Sequence, residues 1–292
     1  MKSQQRTMYR ANSRSVCLKI RRVHGRIVNL FLSRRGFFVQ KNDEVMDMST
    51  ELINALQTLK EKKWIDLTHA FGAETPRFNA FKGLEKTTLF SHDDGFFAQN
   101  FSFAGQYGTH LDAPIHFVRD ARYLEELELK ELALPLIVID HSKDAAENHD
   151  FTISVEDILK FEAEHGEIEA GTFVALRTDW SKRWPDVEAF NNFDAEGNPH
   201  APGWSVDALK FLFEERHIKA VGHETFDTDS SILYRQNNAL LGELYVLEQD
   251  TYQVELLTNL DQLPAKGAVI FNIVPKPEKA SGFPVRSFAI LP

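Results

Sequence analysis

The chain has one cysteine, Cys17, in 292 residues. It can therefore form no internal disulfide, and Cys17 alone cannot build a thiolate metal site. Nothing in the sequence requires an oxidising compartment. No apolar run approaches the ~20 residues that a membrane-spanning helix needs. Bias in composition is absent as well: hydrophobic residues make up 43% and charged residues 26%. Those values exclude a collagen-like chain, a coiled coil and a disordered chain. Positive charge is in deficit, with a formal net charge of −10 and an isoelectric point of about 5.6. A globally acidic chain is a poor candidate for wrapping nucleic acid. A length near 300 residues is compatible with two domains of ~150 or with one large α/β domain.

The deficit is not uniform. Residues 1–48 carry eleven Lys/Arg against three acids, a net of +8, and the other 244 residues carry 22 bases against 40 acids, a net of −18. Three explanations fit a basic, acid-poor start. Translation could begin at Met46 or Met48, making the stretch a mis-assigned extension. It could be a disordered tail, or an Arg-rich targeting segment. A secretory signal fits badly, because the one apolar patch, Ile27–Leu32, is interrupted by Asn29. Each explanation leads to no packed structure before about residue 48. The stretch STELINALQTLKEKK then reads as an amphipathic helix, with Leu52, Ile53, Leu56 and Leu59 at helical spacing and Ser49 or Thr50 as cap.

From Trp64 onward apolar strands alternate with helical segments, which predicts an α/β domain with a mixed sheet and packed helices. WIDLTHAF reads as a first strand, and KTTLFSH and FFAQNFSFAGQYGTHL contain half-buried alternation. Leu134–Asp140, Gly171–Trp180 and the segment IKAVGHET read as further strands, and Leu240–Leu247, Ala268–Val274 and Val285–Leu291 as the last three. Ser154 with Asp157 resembles a capping box opening a helix from Val155 to about His165, and Ser205 caps Val206 to about Arg216. The loop Ser181–Gly203, with Trp184, Phe190 and Phe193, is long enough to be a lid, an oligomer contact or satellite packing.

The chemistry concentrates in GQYGTHLDAPIHF, Gly105–Phe117. In an extended segment residues two apart face the same side, so His110 and Asp112 converge. An imidazole and a carboxylate suit a borderline divalent ion such as Zn²⁺ or Mn²⁺. A structural, hydrogen-bonded His110 is the blander alternative. Pro114 intervenes before His116, which need not be a ligand and is a natural acid or base near neutral pH.

This segment resembles the signature of the cyclase family, H-x-G-T-H-x-D-x-P-x-H-[FY], which it matches without a gap from Gly108 to Phe117. The family includes bacterial kynurenine formamidase and isatin hydrolase. WIDLTHAF with Pro76, RTDW (Arg177–Trp180), AVGHETFDTD, ALLGELYVLEQ, NLDQLP and GFPVR resemble its other elements, so the resemblance covers about 64–292. It implies the family's swivelling β/β/α fold, cytoplasmic placement and a homodimer or homotetramer, with a partner subunit helping to close the site. It also implies His110 and Asp112 as metal ligands, His116 as the catalytic histidine and Glu248 as the downstream glutamate, ligand or hydrogen-bond partner at the metal. The motif's first histidine is Gln106 here, which could ligate through its carbonyl oxygen and would then favour Mn²⁺. Asn237 stands where the family has a second histidine, which favours one metal over two. Trp180 and Phe97, with Phe96, Phe101 and Phe103 nearby, are candidate aromatic walls. Asn237 and His223 are candidate substrate contacts, and His69 and His92 are further imidazoles the sequence cannot place. Glu224 falls at a family aspartate.

The implied activity is hydrolysis of an aryl-formamide, N-formylkynurenine to kynurenine plus formate in tryptophan catabolism. A metal-activated water would attack the carbonyl, with His116 as general acid/base. Two alternatives stand beside it: hydrolysis of another cyclic amide, lactone or ester, and a non-catalytic small-molecule-binding protein on the same scaffold. Neither nucleic acid nor membrane is an expected partner.

Overall fold

The computed structural model describes the backbone of residues 16–23, 26–33, 36–41 and 44–46, and residues 50–292 in full. The chain divides into two units, Met1–Lys62 and Lys63–Pro292. In the first, β1 (Val16–Val23), β2 (Arg26–Ser33), β3 (Gly36–Lys41) and β4 (Glu44–Met46) pair as a four-stranded antiparallel meander. The sequence suggested no packed structure there. Backbone pairing is present, and the packing of the segment's side chains lies outside the described residues, as does Ser49. The expected amphipathic helix is α1 (Glu51–Glu61), entered at Thr50 without a side-chain cap bond.

The second unit carries β5 (Trp64–Asp66), β6 (Glu85–Phe90), β7 (Ala98–Ser102), β8 (His110–Asp112) and β9 (Ala133–Asp140). Then come α2 (Ser142–Glu147), β10 (Thr152–Ile153), α3 (Val155–His165), β11 (Phe173–Arg177), α4 (Val187–Asn191), β12 (Gly203–Trp204) and α5 (Val206–Lys210). The chain ends with β13 (Ala220–His223), α6 (Ser231–Asn237), α7 (Leu241–Glu248), β14 (Gln253–Glu255), β15 (Ala268–Ile273), β16 (Gly282–Pro284) and β17 (Arg286–Ile290). Nine strands form one mixed sheet in the order β16-β8-β14-β13-β11-β9-β15-β17-β5. The four middle strands from β14 to β9 run parallel, and antiparallel strands flank them.

Strand periodicity splits the core. On β9, Leu136 and Val138 face one side with Phe173 and Ala175 of β11. Ile137 and Ile139 face the other with Val174 and Leu176. On that second side α3, α5 and α7 supply Ile158, Phe161, Leu209 and Val246. The capping box at Ser154 is present, its hydroxyl accepting from Asp157 N at 3.3 Å and Asp157 Oδ2 accepting from Ser154 N at 3.0 Å. Ser205 caps α5, which passes into a wider π-type turn over Phe211–Glu215. Among the described residues no helix is long and apolar enough to cross a membrane.

One expectation is overturned. Leu240–Leu247 reads as a strand but forms α7. A short apolar run has no period of its own, and this one is rich in leucine, a good helix former. A distant carboxylate settles the outcome: Asp229 accepts from Gly242 N at 2.8 Å and Glu243 N at 3.0 Å, capping the helix from outside its own segment.

The long loop is fastened to the body through His200. Its Nδ1 lies 2.7 Å from Asp150 Oδ2 and its Nε2 3.2 Å from Asp194 Oδ2, so both ring nitrogens face carboxylates. Asp150, then Asp194, hold the imidazole above its usual range, while nearby Arg235 opposes them. A raised folded-state value means the contribution is complete below the unfolded value of about 6.5 and disappears as pH rises through the folded one. The melting-temperature gap between wild type and His200→Gln should therefore be wider at pH 6 than at pH 9; equal gaps would refute this.

Candidate metal centre

The centre is built on three adjacent short strands. β8 lies between β14 and β16, with Asp112 opposite Gln253, Leu111 opposite Val254 and His110 opposite Glu255. Alternation sends Leu111 and Val254 into the core and the four polar residues to the other side. His110 Nε2 is 3.2 Å from Glu255 Oε2 and 3.5 Å from Asp112 Oδ2. All three residues are buried. His110 Nδ1–H donates to the Gly108 carbonyl at 2.8 Å. That bond fixes the ring and leaves Nε2 for the carboxylates. Burial lowers the His110 pKa, but Asp112 and then Glu255 outweigh it and hold the imidazole well above its usual range.

The spacing suits a metal. Ligands at ~2.1 Å from a divalent ion stand about 3.0–3.4 Å apart in octahedral or tetrahedral geometry; His110 meets Glu255 within that range, at 3.2 Å, and Asp112 just beyond it, at 3.5 Å. One imidazole nitrogen and two carboxylate oxygens are a donor set for Mn²⁺ or Zn²⁺. A second group shares Asp112: His116 Nε2 lies 3.9 Å from Asp112 Oδ1 and 3.8 Å from Glu243 Oε1. Excess negative charge surrounds both groups. Burial, then Glu255 and Asp112, push the Glu243 carboxyl well up. Burial, then Glu255 and Asp229, push Asp227 up to about 7. Buried carboxylates crowded in this way call for a cation.

Two glycines make the close approach possible. Gly108 has φ +63°, and a Cβ there would lie 2.8 Å from the Phe71 ring. A Cβ on Gly282 would lie 2.5 Å from Asp112 Oδ1 and 2.6 Å from Gln106 Nε2. Gln253 donates to Glu255 Oε1 at 3.0 Å and accepts from Thr228 Oγ1 at 2.6 Å, which fixes the carboxylate from behind.

The structure brings together His110, Asp112, His116 and Gln106 as the motif suggested, and corrects several roles. Glu248 is exposed at the end of α7 and does not enter the centre. Glu243, five residues earlier and in the first turn, does. Gln106 presents its amide NH₂ to Asp112 Oδ1 at 3.2 Å, Ser281 Oγ at 3.1 Å and His116 Nδ1 at 3.5 Å. Its amide nitrogen, and not the carbonyl oxygen that could have ligated a metal, faces these groups. Asn237 is exposed on α6. Phe97 is 51% exposed beside the β6–β7 hairpin and does not line its own chain's cavity. Among the remaining histidines, His223 is buried with Nε2 3.6 Å from Glu255 Oε1. His69 instead stacks on Trp184 at 4.4 Å, its pKa pushed down to about 4 by burial. His92 stacks on Phe97 at 5.5 Å in the hairpin region. Glu224 is buried and structural: it accepts from Thr178 N at 2.7 Å and Ser181 Oγ at 2.5 Å, and so anchors the segment holding Trp180.

Sequence reasoning missed Glu255, Glu243 and Asp227. The available signal was polarity out of place: Glu255 interrupts TYQVELL two positions from Gln253, and Glu243 interrupts ALLGELYVL.

A cavity of about 540 Å³ opens over the centre, with His110, His116, Glu243 and Glu255 among its lining. Aromatic side chains form much of the rest, including Phe78, Phe81, Trp180, Phe193 and Phe226. Trp180, Phe190 and Leu256 form a small buried cluster beneath that wall.

Residues 65–230 match the family model described as "Putative cyclase". The chain belongs to the cyclase family. Isatin hydrolase of Roseibium aggregatum is 35% identical over 233 residues, 78% of this chain and 86% of that protein. Among solved structures, an isatin hydrolase bound to the product analogue thioisatinate superposes with TM-score 0.79 at 31% identity, covering 85% of this chain and 100% of that one. Isatin hydrolase A of Ralstonia solanacearum gives 0.78 at 29% identity, covering 87% and 100%. The swivelling α/β fold expected from the motif is thus the fold observed in this cyclase-family chain.

Metal titration tests the ligand set. Glu255→Gln should lose bound Mn²⁺ or Zn²⁺, and Gln253→Ala should weaken it by about 10–100-fold. Gly282→Ala should displace Asp112 and weaken it too. Glu248→Gln should bind as wild type; loss of metal in that variant would restore Glu248 to the centre.

Proposed function

We propose that this protein is a metal-dependent hydrolase that opens a cyclic aromatic amide of the isatin class. One observation carries the reading: His110, Asp112 and Glu255 converge at metal-ligand spacing beneath an aromatic-walled cavity. The likeness to isatin hydrolases supplies the substrate class. A divalent ion held by those three residues polarises an amide carbonyl and makes water more acidic.

The chain's own residues supply the rest. Aromatic faces such as Trp180 and Phe226 hold a flat ring by offset or edge contacts. Gln106 Nε2 lies 3.5 Å from His116 Nδ1 and His116 lines the cavity, so this reading assigns the ring proton to Nε2. His116 Nε2–H is then the group placed to protonate the departing nitrogen. In the net reaction water adds its oxygen to the carbonyl carbon and the C–N bond breaks. The ring opens to a single product in which the nitrogen is a neutral aryl amine and the former carbonyl carbon a carboxylate, with release of a proton.

N-formylkynurenine offers the same scissile unit, an acyl bond to an aniline-type nitrogen, and is the second substrate to assay. The proposal expects chelator-sensitive loss of isatin absorbance and slower turnover of N-formylkynurenine. His116→Ala should lower kcat by about 10²–10⁴-fold with metal content retained. The reverse preference would assign the enzyme to arylformamides, and no turnover of either with metal bound would sink the amide-hydrolase reading.

We further propose that the chain assembles as a homodimer or homotetramer. The assembly is supported by the β6–β7 hairpin region, which exposes Leu89, Phe90, Phe96, Phe97 and Phe101 to 45–56%. Light scattering should give two or four chains per particle, and Phe97→Asp with Phe101→Asp should lower that number.

A further inference from the structure

The cavity over the centre is lined by carboxylates, and Arg77 is the one Lys or Arg among its lining residues. Arg77 is also unusual in what it touches. It makes no ion pair among the described residues. Its Nε donates to the Phe81 carbonyl at 3.2 Å, and its Nη1 to the carbonyls of Ala73 at 3.0 Å and Thr75 at 3.4 Å. Three neutral acceptors on its own loop therefore hold the guanidinium in place without neutralising it. The two Nη2 N–H groups have no acceptor among the described residues. Phe78 and Phe81, from the same loop, meet edge-to-face at 5.3 Å and line the cavity beside it. A fixed, half-buried, uncompensated guanidinium next to aromatic rings is built to receive a planar anion.

We propose that Arg77 is a specificity-determining residue, and that the preferred substrate is a cyclic aromatic amide of the isatin class bearing a carboxylate remote from the scissile bond. The inference rests on the hydrolase reading and narrows its substrate class. The carboxylates lining the centre come from β14, α7 and the β13–α6 connection, whereas Arg77 comes from the β5–β6 connection. Charge of opposite sign on separate elements gives an anionic substituent one favourable place in the cavity. The scissile amide is then left to the centre.

The test compares isatin with its 5-, 6- and 7-carboxylates, which share the scissile bond and differ in charge. In wild type, kcat/KM for at least one carboxylate should exceed that of isatin by about 10–100-fold, the worth of one charge-assisted contact. In Arg77→Met that ratio should fall toward one, and Arg77→Lys should restore part of it. A ratio near one in wild type, or a preference that survives Arg77→Met, overturns the proposal. Because the ratio is internal, general damage to the loop does not mimic the effect.

A second measurement keeps the inference separate from the hydrolase reading. Calorimetry on metal-free protein, where no ion can capture the anion, should show benzoate binding to wild type about tenfold or more tighter than to Arg77→Met. Equal affinities overturn the inference. If no isatin is hydrolysed, the hydrolase reading falls, and benzoate binding alone then decides the role of Arg77.

Discussion

The pairing of β8 with β14 is the constraint on which the rest of the site depends. It sets His110 against Glu255 and Asp112 against Gln253 across one ladder, and Leu111 with Val254 fixes the register from beneath. A slip of one residue would send the apolar pair into the centre and the ligands into the core. Two carboxylates held within 4.8 Å repel by roughly 3.5 kcal/mol at an effective dielectric near 20. The native register therefore concentrates a repulsion that no Lys or Arg among the described residues relieves by pairing with these carboxylates. Imidazoles, the amides of Gln106 and Gln253, and a divalent ion are the available partners.

The elements that position the centre divide cleanly by how far their information lies along the chain. The motif was legible because everything it needs is local. Residues two apart on a strand share a face, Gly108 permits the turn, and Pro114 ends the extended run. The central strands were legible for the same reason, since β9 and β11 carry their own apolar run. β14 and β16 were not, being three residues each, and they owe their conformation to the ladder they complete. The third ligand, Glu255, was lost with β14.

α7 shows the same division at a helix. Its sequence carries no amphipathic pattern, because its buried face includes Gly242 and Glu243 while Leu241 is exposed and Leu244 half-buried, and its N-terminal cap is Asp229, twelve residues before the helix starts. Read as a strand, the segment gives no reason to prefer Glu243 over Glu248 at the centre. The helix puts Glu243 in the first turn, next to the cap, and Glu248 two turns away at the exposed end. A family motif transfers residue roles reliably only where the local conformation has also been identified.

The cavity's charge then bears on the direction of the reaction. In the proposed reaction, hydrolysis of the amide creates a new carboxylate. That new anion is formed beside Glu243, Glu255, Asp227 and Asp229, four carboxyl groups that line the same space. An ion held at the centre would attract it, and the surrounding carboxylates would oppose that attraction. Product affinity is therefore set by the balance between them and not by the metal alone. Protonation of Asp227 and Glu243, both raised by burial and by their neighbours, shifts this balance toward retention. The crowding of acids that makes the cation necessary thus also works against the product's remaining on it.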